Sequence, residues 1–422
     1  VGGGASQLKA WGTATRIQTG TENGISCQVA FDALGNGTAV WAQFDGTRDS
    51  IWASRFTTAG WGTSAVRIDT DAGNAQRPQI AINASGTALV VWPQFDGTRN
   101  NIWANRYTAG TGWGTAALIE TNNGTALFSS VAIDANGNGL AVWQQSDGTR
   151  NSIWSNRYTA GTGWGTAALI ETEDLGNASD AQVALDANGN GLAVWQQSDG
   201  TRNNIWSNRY TAGSGWGTAT LIESGAGRAD LPQLAIEPGG NAVAVWAQVE
   251  ATGRASIFAN RYMVGSGWET PILLENDMRS AGRPQIAVNA NGDAVAVWQQ
   301  SSGTSGSSVW ANRFSPGTGW GAATPIESVT AGTAQSPQVA IDANGNALAV
   351  WEHFDVFALK IWSNRFSVGS GWGTAARLER LATNARNAQV ALDANGNGLA
   401  VWEQSTGTGS GMTYNVWASR FQ

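Results

Sequence analysis

The tetrapeptide Asp-Gly-Thr-Arg occurs four times, at Asp45–Arg48, Asp96–Arg99, Asp147–Arg150 and Asp199–Arg202. Each copy sets a carboxylate acceptor three residues from a guanidinium donor, in a chain rich in tryptophan. Acceptors and donors beside an aromatic face are what sugar recognition needs, since a ring stacks on the sugar's apolar face while polar groups meet its hydroxyls. The candidate ligand-binding set is therefore Asp96, Arg99, Asp147, Arg150, Asp199 and Arg202, with Trp113, Trp164 and Trp216. These loops also have a plainer use. Folding the next strand back would put Glu120 near Arg99 and Glu171 near Arg150, as surface ion pairs that contribute little.

Other reactive chemistry is sparse. His353 is the one histidine, which excludes His-based metal sites and a Ser–His–Asp triad repeated across the chain; it is expected at the surface or in a loop. Cys27 is the one cysteine, so no intramolecular disulfide forms, and it is expected to pack at the start of the first repeat. The turns Asp134–Gly139, Asp186–Gly191 and Asp393–Gly398 match the first half of a calcium loop, but its twelfth position is Gln145, Gln197 or Gln404. Val142, Val194 and Val401 stand where another acid would serve, so these are read as hairpin turns. Glycoside hydrolysis needs two acids about 5–9 Å apart, and acids such as Asp174 and Asp180 cannot be paired from the sequence. No catalytic residue, metal or cofactor is expected, and the chain is read as a non-enzyme.

The elements that would hold these residues follow from self-similarity. A segment like Gln182–Trp195 recurs along the chain, its final tryptophan at 41, 92, 143, 195, 246, 298, 351 and 402. A second series stands at 52, 103, 154, 206, 310, 362 and 417, with Phe258 in the fifth copy, and a third at 11, 61, 113, 164, 216, 268, 320 and 372. The three series account for all 23 tryptophans. Each copy reads as four short strands: A (Gln-Val-Ala-Ile-Asp type), B (Leu-Ala-Val-Trp-Gln-Gln), C (Ile-Trp-Ala-Asn-Arg-Tyr) and D (Trp-Gly-Thr-Ala-Ala-Leu-Ile-Glu). Turn residues separate them and no stretch has helical periodicity.

Eight copies of four antiparallel strands predict an all-β, eight-bladed β-propeller. The chain starts with a lone strand D from Trp11 and its last copy stops after strand C. The N-terminal strand is therefore expected to complete the C-terminal blade and close the ring. Residues 1–10 are read as a tail and 11–422 as one propeller. The A–B and C–D turns, nearly uniform, should share one face of the disc. The B–C and D–A loops, which vary, should share the other, where binding usually lives. The strand B and C tryptophans are expected to glue blades together, and the strand D series to be more exposed. The strand C arginines, one in every copy from Arg55 to Arg420, are expected to stack on a tryptophan of the next blade.

The Ile-Trp-Ala-Asn-Arg-Tyr strand, its glycine turn, Trp-Gly-Thr and the Leu-Ile-Glu ending resemble the repeats of bacterial and fungal propeller lectins, fucose-binding ones included. The likeness covers every copy and lies in architecture and aromatic placement. It implies sugar pockets between adjacent blades, built from Trp, Arg and Glu. Those lectins mostly have six or seven blades, and their sugar contacts do not map residue by residue. The sialidase Asp-box is not met, because Ser146-Asp147-Gly148-Thr149 has the wrong spacing. The Asp-Ala-Asn-Gly-Asn…Ala-Val-Trp repeat is also similar to that of uncharacterised bacterial surface lipoproteins.

Composition bounds the partners. A net charge of −7 argues against nucleic acid and anionic membrane, and no apolar run reaches the roughly 18 residues of a membrane span. With only 13% of residues charged, solubility rests on amides and hydroxyls, which suits a secreted or cell-surface protein. No signal peptide is visible, and Val1–Gly4 resembles the tether after a lipidated cysteine. The expected function is glycan binding at several repeat-derived sites. The alternatives are a scaffold docking protein through the variable face, around Phe354–Phe357, and a polysaccharide-acting enzyme.

Overall fold

A computed structural model describes residues 9–70, 73–172, 176–303, 306–327, 332–355, 357–379, 381–406 and 412–422. The variable-loop residues 173–175, with Asp174, and Val356 lie outside them. Eight antiparallel sheets form a ring, as the repeat predicts. In the third blade strand A is Ala126–Ile133, strand B Gly139–Ser146 and strand C Asn151–Thr159. No helix among the described residues is long and apolar enough to cross a membrane.

Strand D departs from the expected continuous strand. It pairs with strand C in two short pieces, Gly163–Trp164 and Ala168–Leu169 in the third blade, separated by Gly165-Thr166-Ala167. Strand A is the inner edge, since the A strands of neighbouring blades pack on one another around the axis. The N-terminal segment closes the ring. Thr15–Arg16 pairs with Thr413–Phe421, and Trp11 bridges Phe421.

The strand B tryptophans are fully buried in all eight blades. Each packs against the preceding blade: Trp143 meets Val91, Ile102 and Ile119, and Trp41 meets Val401, Val416 and Ile17 across the closure. In seven blades the indole Nε1 donates to the glutamine two residues on, at 2.8–3.0 Å. Burying the ring without stranding its N–H requires that partner. The seventh blade has His353 at the glutamine position, and Trp351 Nε1 has no partner there. His353 is 2% exposed, so the expected surface or loop role is corrected: it stands on a core-facing strand position.

Two further devices join the blades. Asn105, Asn156, Asn208, Asn260, Asn312 and Asn364 each donate Nδ2 to the carbonyl of a strand D residue of the preceding blade, as Asn156 does to Ile119 at 2.8 Å. The strand C arginines stack on the next blade around the whole ring. Arg55 lies 4.2 Å from the centroid of Tyr107, and Arg420 lies 5.2 Å from that of Phe56. Their partners are tyrosine or phenylalanine, which corrects the expected tryptophan.

A feature with no warning in the sequence repeats in every strand A. Two residues oppose one at a β-bulge, and the first of them is left-handed: Ser26, Arg77, Phe128, Asp180, Leu231, Arg283, Ser336 and Asn387, with φ of 47–57°. None is glycine. Side chains with a Cβ, leucine and phenylalanine above all, avoid this region, so the packed ring must hold it. The bulge lies near the start of strand A, beside the B–C and D–A loops, and so rings the channel mouth on the variable face.

Candidate functional site

The Asp-Gly-Thr-Arg loops are self-contained turns. Asp96 Oδ1 accepts hydrogen bonds from Thr98 N, Thr98 Oγ1 and Arg99 N, and Oδ2 accepts one from Asn101. Asp199 repeats this with Thr201, Arg202 and Asn204. Asp147 uses Thr149 and Arg150. The threonine hydroxyl first, then the loop N–H groups, hold Asp96 and Asp199 well below the usual carboxylate range, and Asp147 at about 2.

The arginines turn inward. Arg99 approaches Glu120 at 4.0 Å and Arg202 approaches Glu223 at 3.4 Å. Both glutamates are buried, so the pair of Arg99 with Glu120, expected at the surface, is a pair to a buried acid. The loop acids and arginines thus bond chiefly within their own turn and to a neighbouring acid.

The loops also stand apart from the tryptophans with which the sequence grouped them. Arg99 precedes the start of strand C, whereas Trp113 pairs with Tyr107 near its far end. Eight residue steps at about 3.3 Å each put some 26 Å between the two levels. The indole beside the Asp147 loop is Trp154, of the strand C series.

Trp113 and Trp164 do come together. They line one cleft of about 580 Å³ at the outer rim between the second and third blades, with Asn105, Arg106, Thr111 and Tyr158. Each indole is half-buried and held edge-on by a tyrosine, Trp113 by Tyr107 at 5.4 Å and 66°, Trp164 by Tyr158 at 5.5 Å and 71°. Trp216 has the same tyrosine support, but its Nε1 donates to Ser155 of the preceding blade at 3.2 Å. The residue that would serve Trp164 in this way is Ala104, and neither Trp113 nor Trp164 donates within the described structure. Two fixed indoles with spare N–H groups can stack on and bond to a polyhydroxylated ring.

Asp180, unpairable from sequence, faces Asp230 of the next blade at the channel mouth. Burial chiefly, and then the Asp230 charge, raises its pKa. Asp230 itself accepts from Asn203 at 2.7 Å and pairs with Arg228. The apolar B–C loop of the seventh blade exposes Phe354 and Phe357, the latter 92% accessible. No cluster of metal-ligating side chains occurs among the described residues.

No family model matches the chain, and no curated protein matches it. Solved structures do. A polysaccharide lyase, an ulvan lyase bound to -[GlcA(1-4)Rha3S]-, aligns over 87% of this chain and 97% of its own at 11% identity and a TM-score of 0.54. The α-L-arabinofuranosidase of Fusarium graminearum aligns over 71–72% of this chain and 95% of its own, at 12–13% identity and TM-scores of 0.41–0.42. A leech intramolecular trans-sialidase covers 92% and 83%, at 10% identity and a TM-score of 0.43. The likeness is one of fold. The likeness to the lyase corrects the reading of the chain as a non-enzyme, because a polysaccharide lyase shares this fold.

Proposed function

We propose that this protein engages polysaccharide, in the manner of a lectin, through the rim cleft between its second and third blades. The observation that carries this reading is the pair Trp113 and Trp164, half-buried, edge-braced by Tyr107 and Tyr158, and lining one cleft. A sugar seated there stacks on an indole while Arg106 and Thr111, which also line the cleft, meet its hydroxyls. The ulvan lyase, which shares the fold and was solved with a polysaccharide fragment, supports the substrate class. The low charge of the chain agrees with a place outside the cell or on its surface, where such ligands occur.

A glycan-array screen followed by calorimetry on the hits tests the proposal. Saturable binding of a neutral oligosaccharide should weaken at least about tenfold, or 1.4 kcal/mol, in Trp164→Ala with an unchanged thermal transition. Unchanged affinity in both Trp113→Ala and Trp164→Ala would sink the rim assignment. Sizing the recovered oligosaccharides reports any cleavage in the same experiment.

A further inference from the structure

The left-handed bulge residues around the channel mouth differ in how their N–H groups are satisfied. Leu231 N donates to Gln196 Oε1 at 2.9 Å, Asn387 N to Glu352 Oε1 at 2.6 Å and Ser26 N to Glu403 Oε1 at 2.6 Å. In each case the acceptor is the residue just after the buried tryptophan of the preceding blade. The bulge repeats with nearly the same φ in every blade, and the corresponding position of the preceding blade stands opposite each, although Asp180 N and Ser336 N make no such bond to Gln144 or Gln299 among the described residues. At three junctions the position holds Ala42, Pro93 or Ala247, which offer no side-chain acceptor. The bulge residues facing them are Arg77, Phe128 and Arg283.

Arg77 is engaged, its guanidinium 5.1 Å from the Phe128 ring centroid. Arg283 is not covered in this way. It is exposed, donates Nη1 to Ser336 Oγ at 2.9 Å, and has no carboxylate within ion-pair distance among the described residues. Beside it opens a cleft of about 530 Å³, lined by Leu231, Ser280, Gln299, Ser307 and Thr333. A backbone N–H without a side-chain cap, a guanidinium with donors to spare and several hydroxyls therefore meet in a cleft large enough for a sugar residue. Leu231 supplies an apolar wall.

We propose that this cleft, at the channel mouth over the sixth blade, binds an acidic saccharide. Its carboxylate or sulfate takes charge-assisted bonds from Arg283 and the bulge N–H, filling the place that Gln196 or a glutamate fills inside other blades. The site is separate from the rim cleft. The carbohydrate reading supplies only the saccharide body of the ligand, and the anion contact stands on Arg283 and the uncapped bulge.

Two substitutions test it by different routes. Arg283→Gln removes the cation. Ala247→Gln introduces the internal cap of the neighbouring blade, so it should occupy the bulge N–H without harming the fold. The full chain is titrated calorimetrically with an oligogalacturonate and with a sulfated glycosaminoglycan hexasaccharide, to tell the two anions apart, and with inorganic sulfate. Binding of at least one acidic oligosaccharide, more tightly than sulfate, is expected. Each variant should weaken it about tenfold or more while retaining the parent's thermal transition, and Trp164→Ala should leave it unchanged. Failure of the parent to bind either oligosaccharide, no tighter binding than sulfate, or parent-like affinity in both variants would overturn the proposal. The rim reading falls separately, on Trp164→Ala and neutral sugars.

Discussion

Asp180 shows what a residue's neighbours add to its identity. In the sequence it is one acid among many, and nothing places a partner opposite it. The ring sets it against Asp230 from a copy fifty residues away, and burial with that like charge raises its pKa. A carboxyl whose folded pKa exceeds its unfolded value binds protons more tightly in the folded state, so ionising it costs stability. The cost is absent below the unfolded value, 3.8, and complete once pH has risen through the folded value. Asp180→Asn should accordingly raise the denaturant midpoint at neutral pH, with the gain narrowing as pH is lowered towards about 4. An equal gain at both ends of that range would assign the effect to packing. Cys27 is simpler, since its burial was legible from its place at the head of a strand. Burial and the Glu403 charge push its thiol up, and the native protein should resist thiol reagents that label it after unfolding.

At the level of the element, repetition made the strands readable and also hid their exceptions. Eight copies of one hydrophobic alternation leave little doubt about strands A, B and C. Strand D is read too long because its glycine and threonine break the pairing that its flanking residues make. The bulge was illegible for a different reason. Left-handed backbone usually announces itself through glycine or asparagine, whereas here the residues range from Ser26 to Leu231 and the ring's packing imposes the conformation. His353 illustrates the hidden exception. It takes the place of a glutamine that bonds the buried indole and, in the third blade, also reaches Glu120 of the preceding blade at 2.9 Å. His353 approaches the corresponding Glu327 at 3.7 Å, but Trp351 Nε1 goes without a partner. His353→Gln should restore the pair and stabilise the protein by about 1 kcal/mol, the net value of one such bond. A loss of stability in denaturant titration would mean that the imidazole's contacts outweigh the missing indole bond.

For the whole molecule, blade number was legible because it is a count of copies, while the sites were not, because each cleft borrows residues from neighbouring copies. The rim cleft needs Trp113 and Trp164 from successive blades, and the mouth cleft draws on blades five to seven. Both require the blades to keep their mutual angles, which the closure of the ring enforces. The closure is specific. Gly12 N donates to Arg420 O at 2.7 Å, Ile17 N to Val416 O at 3.0 Å, and Trp11 Nε1 to Ser363 Oγ of the seventh blade at 2.8 Å. Ile17 is buried among Trp41, Val401 and Val416, so the N-terminal strand joins the first and eighth blades through the core as well as through hydrogen bonds. Removing residues 1–18 would strip the outer strand from the eighth blade, leaving Thr413–Phe421 as a bare edge able to pair with another chain. The truncated protein should unfold at a lower temperature and form oligomers at concentrations where the parent does not. Thermal melting and size-exclusion chromatography measure the two effects independently. If the truncated protein melts like the parent and elutes at the same size, blade-to-blade packing alone holds the ring, and the clefts owe their geometry to that packing rather than to closure.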